Sequence, residues 1–232
     1  MVTFTHPLDP PVLTRVEASD QLYPVHRIFC VGRNYAAHAR EMGRDPDREP
    51  PFFFTKSIDT LVPSGEPITY PPETANFHYE MELVVALGRD VFRADESEAT
   101  SAIFGFACGL DMTRRDLQLK ARAEGRPWDT GKSFEQSTVL APIRAMKGEV
   151  LRSGPITLSV NDDTRQSSDL DQLIWSVPEI IAELSRYYSL QAGDLIFTGT
   201  PEGVGAVVPG DQLEGRIADL PLVSTTILPP RP

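Results

Sequence analysis

Apolar positions in this chain fall into short runs broken by proline, glycine and clusters of charge. The run His26-Arg27-Ile28-Phe29-Cys30-Val31-Gly32 is nearly continuous and ends on glycine, which predicts a buried strand. Similar runs predict strands over 52–55, 81–87, 103–110, 156–160, 195–198 and 222–227, with a short one within 11–16. Asn161-Asp162 predicts a tight hairpin turn. Helical spacing is confined to a few places. One helix is predicted over 34–42 and one over 114–124, the latter with Thr113 as N-cap and Gly125 as stop. A third, over 178–188, has Ser176 before it, a proline in its first turn, and Ile180, Ile181 and Leu184 facing inward. Residues 43–51 are too charged and proline-rich for anything but loop. Many strands, few helices and no βαβ rhythm predict a strand-dominated α+β fold. Residues 1–24 read as a proline-rich N-terminal extension, and 25–232 as one folded domain.

Composition narrows the functions available. With a net charge of −11, neither nucleic acid nor an anionic membrane suits the surface as partner. No apolar run approaches the roughly 20 residues that span a bilayer, and the N-terminus lacks the basic start and apolar stretch of a secretion signal. Cys30 and Cys108 sit inside apolar runs and read as reduced core residues. The expectation is a cytoplasmic protein. If its ligand is also acidic, positive charge must be concentrated locally, by a metal or by a few placed Arg and Lys side chains.

The segment from Asn76 to Gly88 carries the most chemistry. At period two, His78, Glu80, Glu82, Val84 and Ala86 share one face, and Tyr79, Met81, Leu83, Val85 and Leu87 share the other. Both faces turn apolar by residue 83. Two carboxylates thus point the same way at the edge of a buried region, with Cα atoms about 6.6 Å apart by the strand rise. Their repulsion and desolvation raise the pKa of at least one, and a divalent cation relieves both. A lone E-x-E is more often a water-facing edge. Here the apolar flanks, and a third acid at the end of Ile103-Phe104-Gly105-Phe106-Ala107-Cys108-Gly109-Leu110-Asp111, favour metal. Oxygen-only ligands suit Mg²⁺, Mn²⁺ or Ca²⁺ better than zinc.

Several motifs, in order across residues 24–227, carry a resemblance. They are Gly32-Arg33-Asn34-Tyr35, His38 with Glu41, Glu80-x-Glu82, Leu110-Asp111-Met112-Thr113 followed by Arg115-Asp116-Leu117-Gln118, Gly131-Lys132-Ser133-Phe134, and Thr198-Gly199-Thr200-Pro201. Together they resemble the fumarylacetoacetate hydrolase superfamily, and residues 41–54 and 163–166 are most similar to its fumarylpyruvate hydrolase branch. The resemblance implies a mixed β-sheet roll with few helices, usually a homodimer, over 25–232. It implies metal ligands at Glu80, Glu82 and Asp111, holding Mg²⁺ or Mn²⁺ (Ca²⁺ in some crystals).

The same resemblance implies that His38 and Glu41 form a lid dyad that activates water, with Lys132 beside the developing negative charge. Lys56, Arg115, Gln118, Thr200 and, more weakly, Arg33 would contact a small-molecule ketoacid. The implied reaction is hydrolytic cleavage of a carbon–carbon bond in an acylpyruvate, 3-fumarylpyruvate first among them. Other acylpyruvate hydrolases and oxaloacetate decarboxylases of the superfamily use nearly the same site and stay open. A non-catalytic, metal-stabilised binding protein is the remaining alternative, although it would need neither the dyad nor the lysine.

Overall fold

The strand Met81–Leu87 shows no alternation of exposure, because all seven residues are buried. That is the signature of a strand covered on both faces. The computed structural model describes residues 5–6, 10–36 and 49–231. In it, Met81, Leu83, Val85 and Leu87 enter one core, and Val84 and Ala86 a second.

Around this strand runs an eight-stranded mixed sheet, in the order Phe52–Lys56, Arg27–Gly32, Asp194–Phe197, Met81–Leu87, Ile103–Asp111, Thr138–Leu140, Leu61–Pro63. Arg144–Ala145 pairs beside Ile103–Asp111 as the eighth. A second sheet of five strands, Asp163–Asp169, Pro155–Val160, Gln212–Ile217, Val223–Leu228 and Ile68–Thr69, packs over the first core. Ile156, Leu158, Leu213, Ile217, Val223 and Ile227 point into it, alongside Ile180, Ile181 and Leu184 of the helix Val177–Leu184. The strand-dominated α+β roll is thus as expected, and its mixed pairing includes parallel contacts at Asp194–Phe197 with Arg27–Gly32.

The predicted strands appear within a residue or two of their expected ends. Asn161 and Asp162 have φ of 51° and 68°, which closes the hairpin between Pro155–Val160 and Asp163–Asp169. The helix at Val177–Leu184 begins on Ser176, whose capping box with Glu179 is formed, and stops four residues short of the predicted end. Residues 13–24 of the expected extension form the hairpin Leu13–Arg15 and Leu22–Pro24, and Val25 follows directly. Val16, Tyr23 and Val25 from this stretch are buried in the second core with Ile28 and Cys30.

Two expectations need correcting. The helix Arg115–Ala123 is not capped by Thr113: its N-cap is Arg114, without a side-chain bond, and the Arg115 N–H is taken by the Asn76 carbonyl at 2.9 Å. The Thr113 hydroxyl donates instead to the Asp111 carbonyl. And the segment around Glu80 is two strands rather than one. Phe77–Tyr79 belongs to a small sheet with Thr113–Arg114 and Gly205–Ala206, while Met81–Leu87 belongs to the large sheet. Glu80 is the residue at which the chain passes from one to the other. The helix expected over 34–42 falls mostly outside the described residues.

Candidate metal centre and cavity

That crossing point sets the site. Met81 pairs with Leu110 in the large sheet, and the Asp111 N–H donates to the Glu80 carbonyl at 2.9 Å, so the acid ending one strand is pinned beside the acid starting the next. The Gln166 side chain reinforces the junction by accepting the Met81 N–H at 3.0 Å. Glu80, Glu82 and Asp111 are all buried, and each brings a carboxylate oxygen within 4.8 Å of the others. Three carboxylate oxygens converging in the interior, with no sulfur or imidazole among them, could hold a hard divalent cation.

Three buried cations hold this cluster in place. Lys132 Nζ bridges Glu80 Oε2 at 2.7 Å and Asp111 Oδ2 at 2.6 Å. Arg115 donates to Glu80 Oε1 and to Gln118 Oε1, each at 2.5 Å. Lys56 Nζ donates to Asp111 Oδ1 at 2.6 Å, to the Ser137 carbonyl at 2.8 Å and to the Met112 carbonyl at 3.3 Å. Glu82 is bound differently: its Oε2 accepts the Gly199 N–H at 2.7 Å. Burial, then repulsion from Asp111 and Glu80, pushes the Glu82 carboxyl well above the usual carboxylate range. For Lys132, burial acts to lower the pKa, but attraction from Asp111 and Glu80 outweighs it and the ammonium is held charged.

Local sequence explains two of these placements. Gly199 has φ of 101°, a left-handed backbone that turns its N–H toward Glu82, and the loop is braced by Asn34, which donates to the Thr198 carbonyl at 2.9 Å. Gly131 sits where the short helix Asp129–Lys132 meets Arg115–Ala123. A Cβ there would stand 2.8 Å from the Gln118 backbone nitrogen, so glycine lets the two helices approach and carries Lys132 inward.

A cavity opens over the cluster. Its walls include Glu80, Glu82, Lys132, Arg115, Gln118 and Thr200. Thr200 Oγ1 accepts from Gln166 Nε2 at 2.9 Å. Arg33 also lines it, in a left-handed conformation with φ of 61° and its guanidinium over the Phe52 ring. Lys56, expected as a substrate contact, stands instead behind Asp111, its three N–H groups directed to protein oxygens and its side chain fully buried. His78 stands apart from the carboxylates. It bonds Asn76 Oδ1 at 2.7 Å, and burial followed by the Arg115 charge lowers its pKa to about 4. His38 and Glu41 lie outside the described residues. Cys30 and Cys108 are buried free thiols, as expected.

The arrangement accords with what the chain is similar to. The model of the fumarylacetoacetate (FAA) hydrolase C-terminal family matches residues 27–228. The chain belongs to this family. It is 57% identical over 190 residues to a fumarylpyruvate hydrolase of a Ralstonia species, an alignment covering 81% of this chain and 99% of that one. It is 39% identical over 197 residues to a mitochondrial oxaloacetate tautomerase of Homo sapiens, covering 83% and 87%. Among solved structures, fumarylpyruvate hydrolase from Pseudomonas aeruginosa in complex with Mn²⁺ and pyruvate superposes with a TM-score of 0.94 at 48% identity, covering 97% of this chain and 99% of the other.

Three residues given no role from the sequence prove to matter to this family member's site. Gln166 ties the Thr200 loop to the strand crossing, and Asn34 ties the same loop to Trp175 by accepting the Trp175 N–H at 2.7 Å. Both are uncharged residues in mixed surroundings, where nothing local marks a buried brace. Arg122 lines the cavity from the helix Arg115–Ala123, two turns beyond Arg115. Its signal was the spacing of 115, 118 and 122 on one helical face. No helix among the described residues is long and apolar enough to cross a membrane.

Proposed function

We propose that this chain hydrolyses 3-fumarylpyruvate to fumarate and pyruvate with a divalent metal, Mg²⁺ or Mn²⁺, bound by Glu80, Glu82 and Asp111. The convergence of three buried carboxylates at the floor of a cation-lined cavity carries this reading. It is supported by the similarity to fumarylpyruvate hydrolases over nearly the whole chain.

A bound divalent ion supplies Lewis-acid stabilisation of the enolate charge that develops as pyruvate leaves. The chain's own groups do the rest. Arg115, already oriented by Glu80, and Gln118 present N–H donors from one helical face to the ketoacid end of the substrate. Thr200 offers a hydroxyl whose direction is set by Gln166. Lys132 keeps a fixed positive charge beside the carboxylates, where negative charge grows on the leaving group. His38, with Glu41 orienting it, takes a proton from the water that attacks the distal carbonyl. The bond between that carbonyl carbon and the adjacent methylene then breaks, its electron pair stays with the pyruvate fragment, and the methylene carbon takes up a proton.

The test is a spectrophotometric panel of fumarylpyruvate, maleylpyruvate, acetylpyruvate and oxaloacetate, each with Mg²⁺, with Mn²⁺ and with chelator. Fumarylpyruvate should be the best substrate and chelation should abolish turnover. A preference for oxaloacetate, or activity that survives chelation, would overturn the assignment. Family resemblance also supports a cytoplasmic homodimer, which sedimentation equilibrium and cell fractionation test directly.

A further inference from the structure

The cavity has a charge pattern that differs between its floor and its mouth. At the floor, Lys56, Lys132 and Arg115 are all engaged by the carboxylates of Glu80 and Asp111, with the Glu82 carboxyl beside them. Nearer the mouth, where exposure is greater, the wall carries the Arg122 guanidinium. Arg122 is half-buried there, and among the described residues its side chain makes no hydrogen bond or ion pair. Holding a guanidinium in a partly dehydrated wall with no partner is costly unless a ligand anion completes it.

Position sets what that anion is. Arg115, Gln118 and Arg122 lie at i, i+3 and i+7 on the helix, so they form one line along the cavity wall. By the helical rise, Arg122 stands about 10 Å beyond Arg115. An extended seven-carbon dioxo acid with a carboxylate at each end spans roughly 8 Å between the carboxylate carbons, by ordinary bond lengths. Seated with its ketoacid end at Arg115 and the metal ligands, such a molecule brings its second carboxylate to the Arg122 guanidinium. The cavity wall also has an apolar part: Phe54 and Trp128 line it with ring centroids 5.8 Å apart and planes inclined by 56°.

We propose that Arg122 is the specificity-determining residue of this site, pairing with the carboxylate at the far end of the acyl group and selecting unsaturated dicarboxylic acylpyruvates over neutral ones. This rests on the acylpyruvate hydrolase reading, and the experiment separates the two. Steady-state kinetics of wild type, R122M and R122K are compared on fumarylpyruvate and acetylpyruvate, with Mn²⁺ in excess. In R122M the ratio of kcat/KM for fumarylpyruvate over acetylpyruvate should fall about 10- to 100-fold, the loss of one charge-assisted hydrogen-bonding partner. The fall should sit mainly in KM, and R122K should recover part of it. Equal losses on both substrates would make Arg122 a merely structural residue and overturn the proposal.

Calorimetric titration of the Mn²⁺-loaded protein with fumarate provides a readout free of turnover. R122M should bind fumarate at least about 10-fold more weakly than wild type, with pyruvate affinity setting the baseline. Failure of the wild type to hydrolyse any acylpyruvate would sink the proposed function while leaving this comparison intact. Equal fumarate affinities, or no fumarate binding by the wild type, would sink the Arg122 assignment on its own.

Discussion

Replacing Lys56 with methionine separates a cation that supports the metal ligands from one that meets substrate. The methionine keeps most of the stem volume and removes the ammonium. In the wild type that ammonium lies 2.6 Å from Asp111 Oδ1, with side-chain exposures of 0% and 1% for the pair. Removing one partner of so buried a pair typically costs about 3–5 kcal/mol, because the remaining charge keeps its desolvation penalty. For a chain of this size each kcal/mol moves the melting temperature by about 2–4 °C, so the metal-free variant should melt roughly 6–20 °C below wild type. Saturating Mn²⁺ should close part of that gap, since a bound cation gives Asp111 a new counter-charge. Differential scanning calorimetry with and without Mn²⁺ measures both quantities, and KM for fumarylpyruvate is recorded alongside. An unchanged melting temperature with a raised KM would refute the reasoning and return Lys56 to the substrate-contact role that family resemblance implied.

Other consequences are testable in the same preparations. D111N should abolish Mn²⁺-induced thermal stabilisation, because it removes a ligand and leaves Lys56 and Lys132 short of a countercharge; calorimetry with Mn²⁺ checks it, and undiminished stabilisation would exclude Asp111 as a ligand. H38A should retain that metal-induced shift while kcat falls about 100-fold or more, the usual scale of a lost general base; undiminished turnover would remove His38 from the mechanism. At Asp116, burial raises the carboxyl pKa, but bonds from the Thr74 hydroxyl and the Ala75 and Leu117 N–H groups outweigh it and hold the pKa below the usual value. A depressed folded pKa stabilises above the unfolded value near 3.9 and ceases to do so as pH falls through the folded one. D116N should therefore cost about 1 kcal/mol at pH 7 and progressively less below pH 4 in urea titrations; a pH-independent cost would contradict this origin.

Periodicity located most of the large-sheet strands because their burial on two faces leaves long apolar runs, as in Ile103–Asp111. It failed at Glu80. Alternation over 76–88 continues smoothly through the crossing, since tyrosine, glutamate and methionine suit either strand, and only pairing partners distant in sequence reveal that the chain changes sheets there. The same is true of the site. Carboxylates stood out because charge in an apolar context is conspicuous, whereas the roles of Gln166 and Asn34 depend on reaching across 85 and 141 residues. Lys56 was legible as a cation near the site but not in its direction, because a strand end does not say which side of a neighbouring carboxylate its side chain takes. The helix Glu96–Ala102, too short to show a periodic stripe, was missed altogether despite the capping box between Asp95 and Glu98.

The passage of the chain from one sheet to another at Glu80 has a kinetic corollary. Its carbonyl holds the Asp111 amide and the next amide, Met81, is held by Gln166, both deep in the roll. Neither bond lies on a frayed edge that opens by itself, so these two amide hydrogens should exchange with solvent only at the rate of global unfolding. An ion held by Glu80, Glu82 and Asp111 would have to leave by way of the cavity that Glu80 and Glu82 line, which would couple its residence time to whatever occupies that cavity.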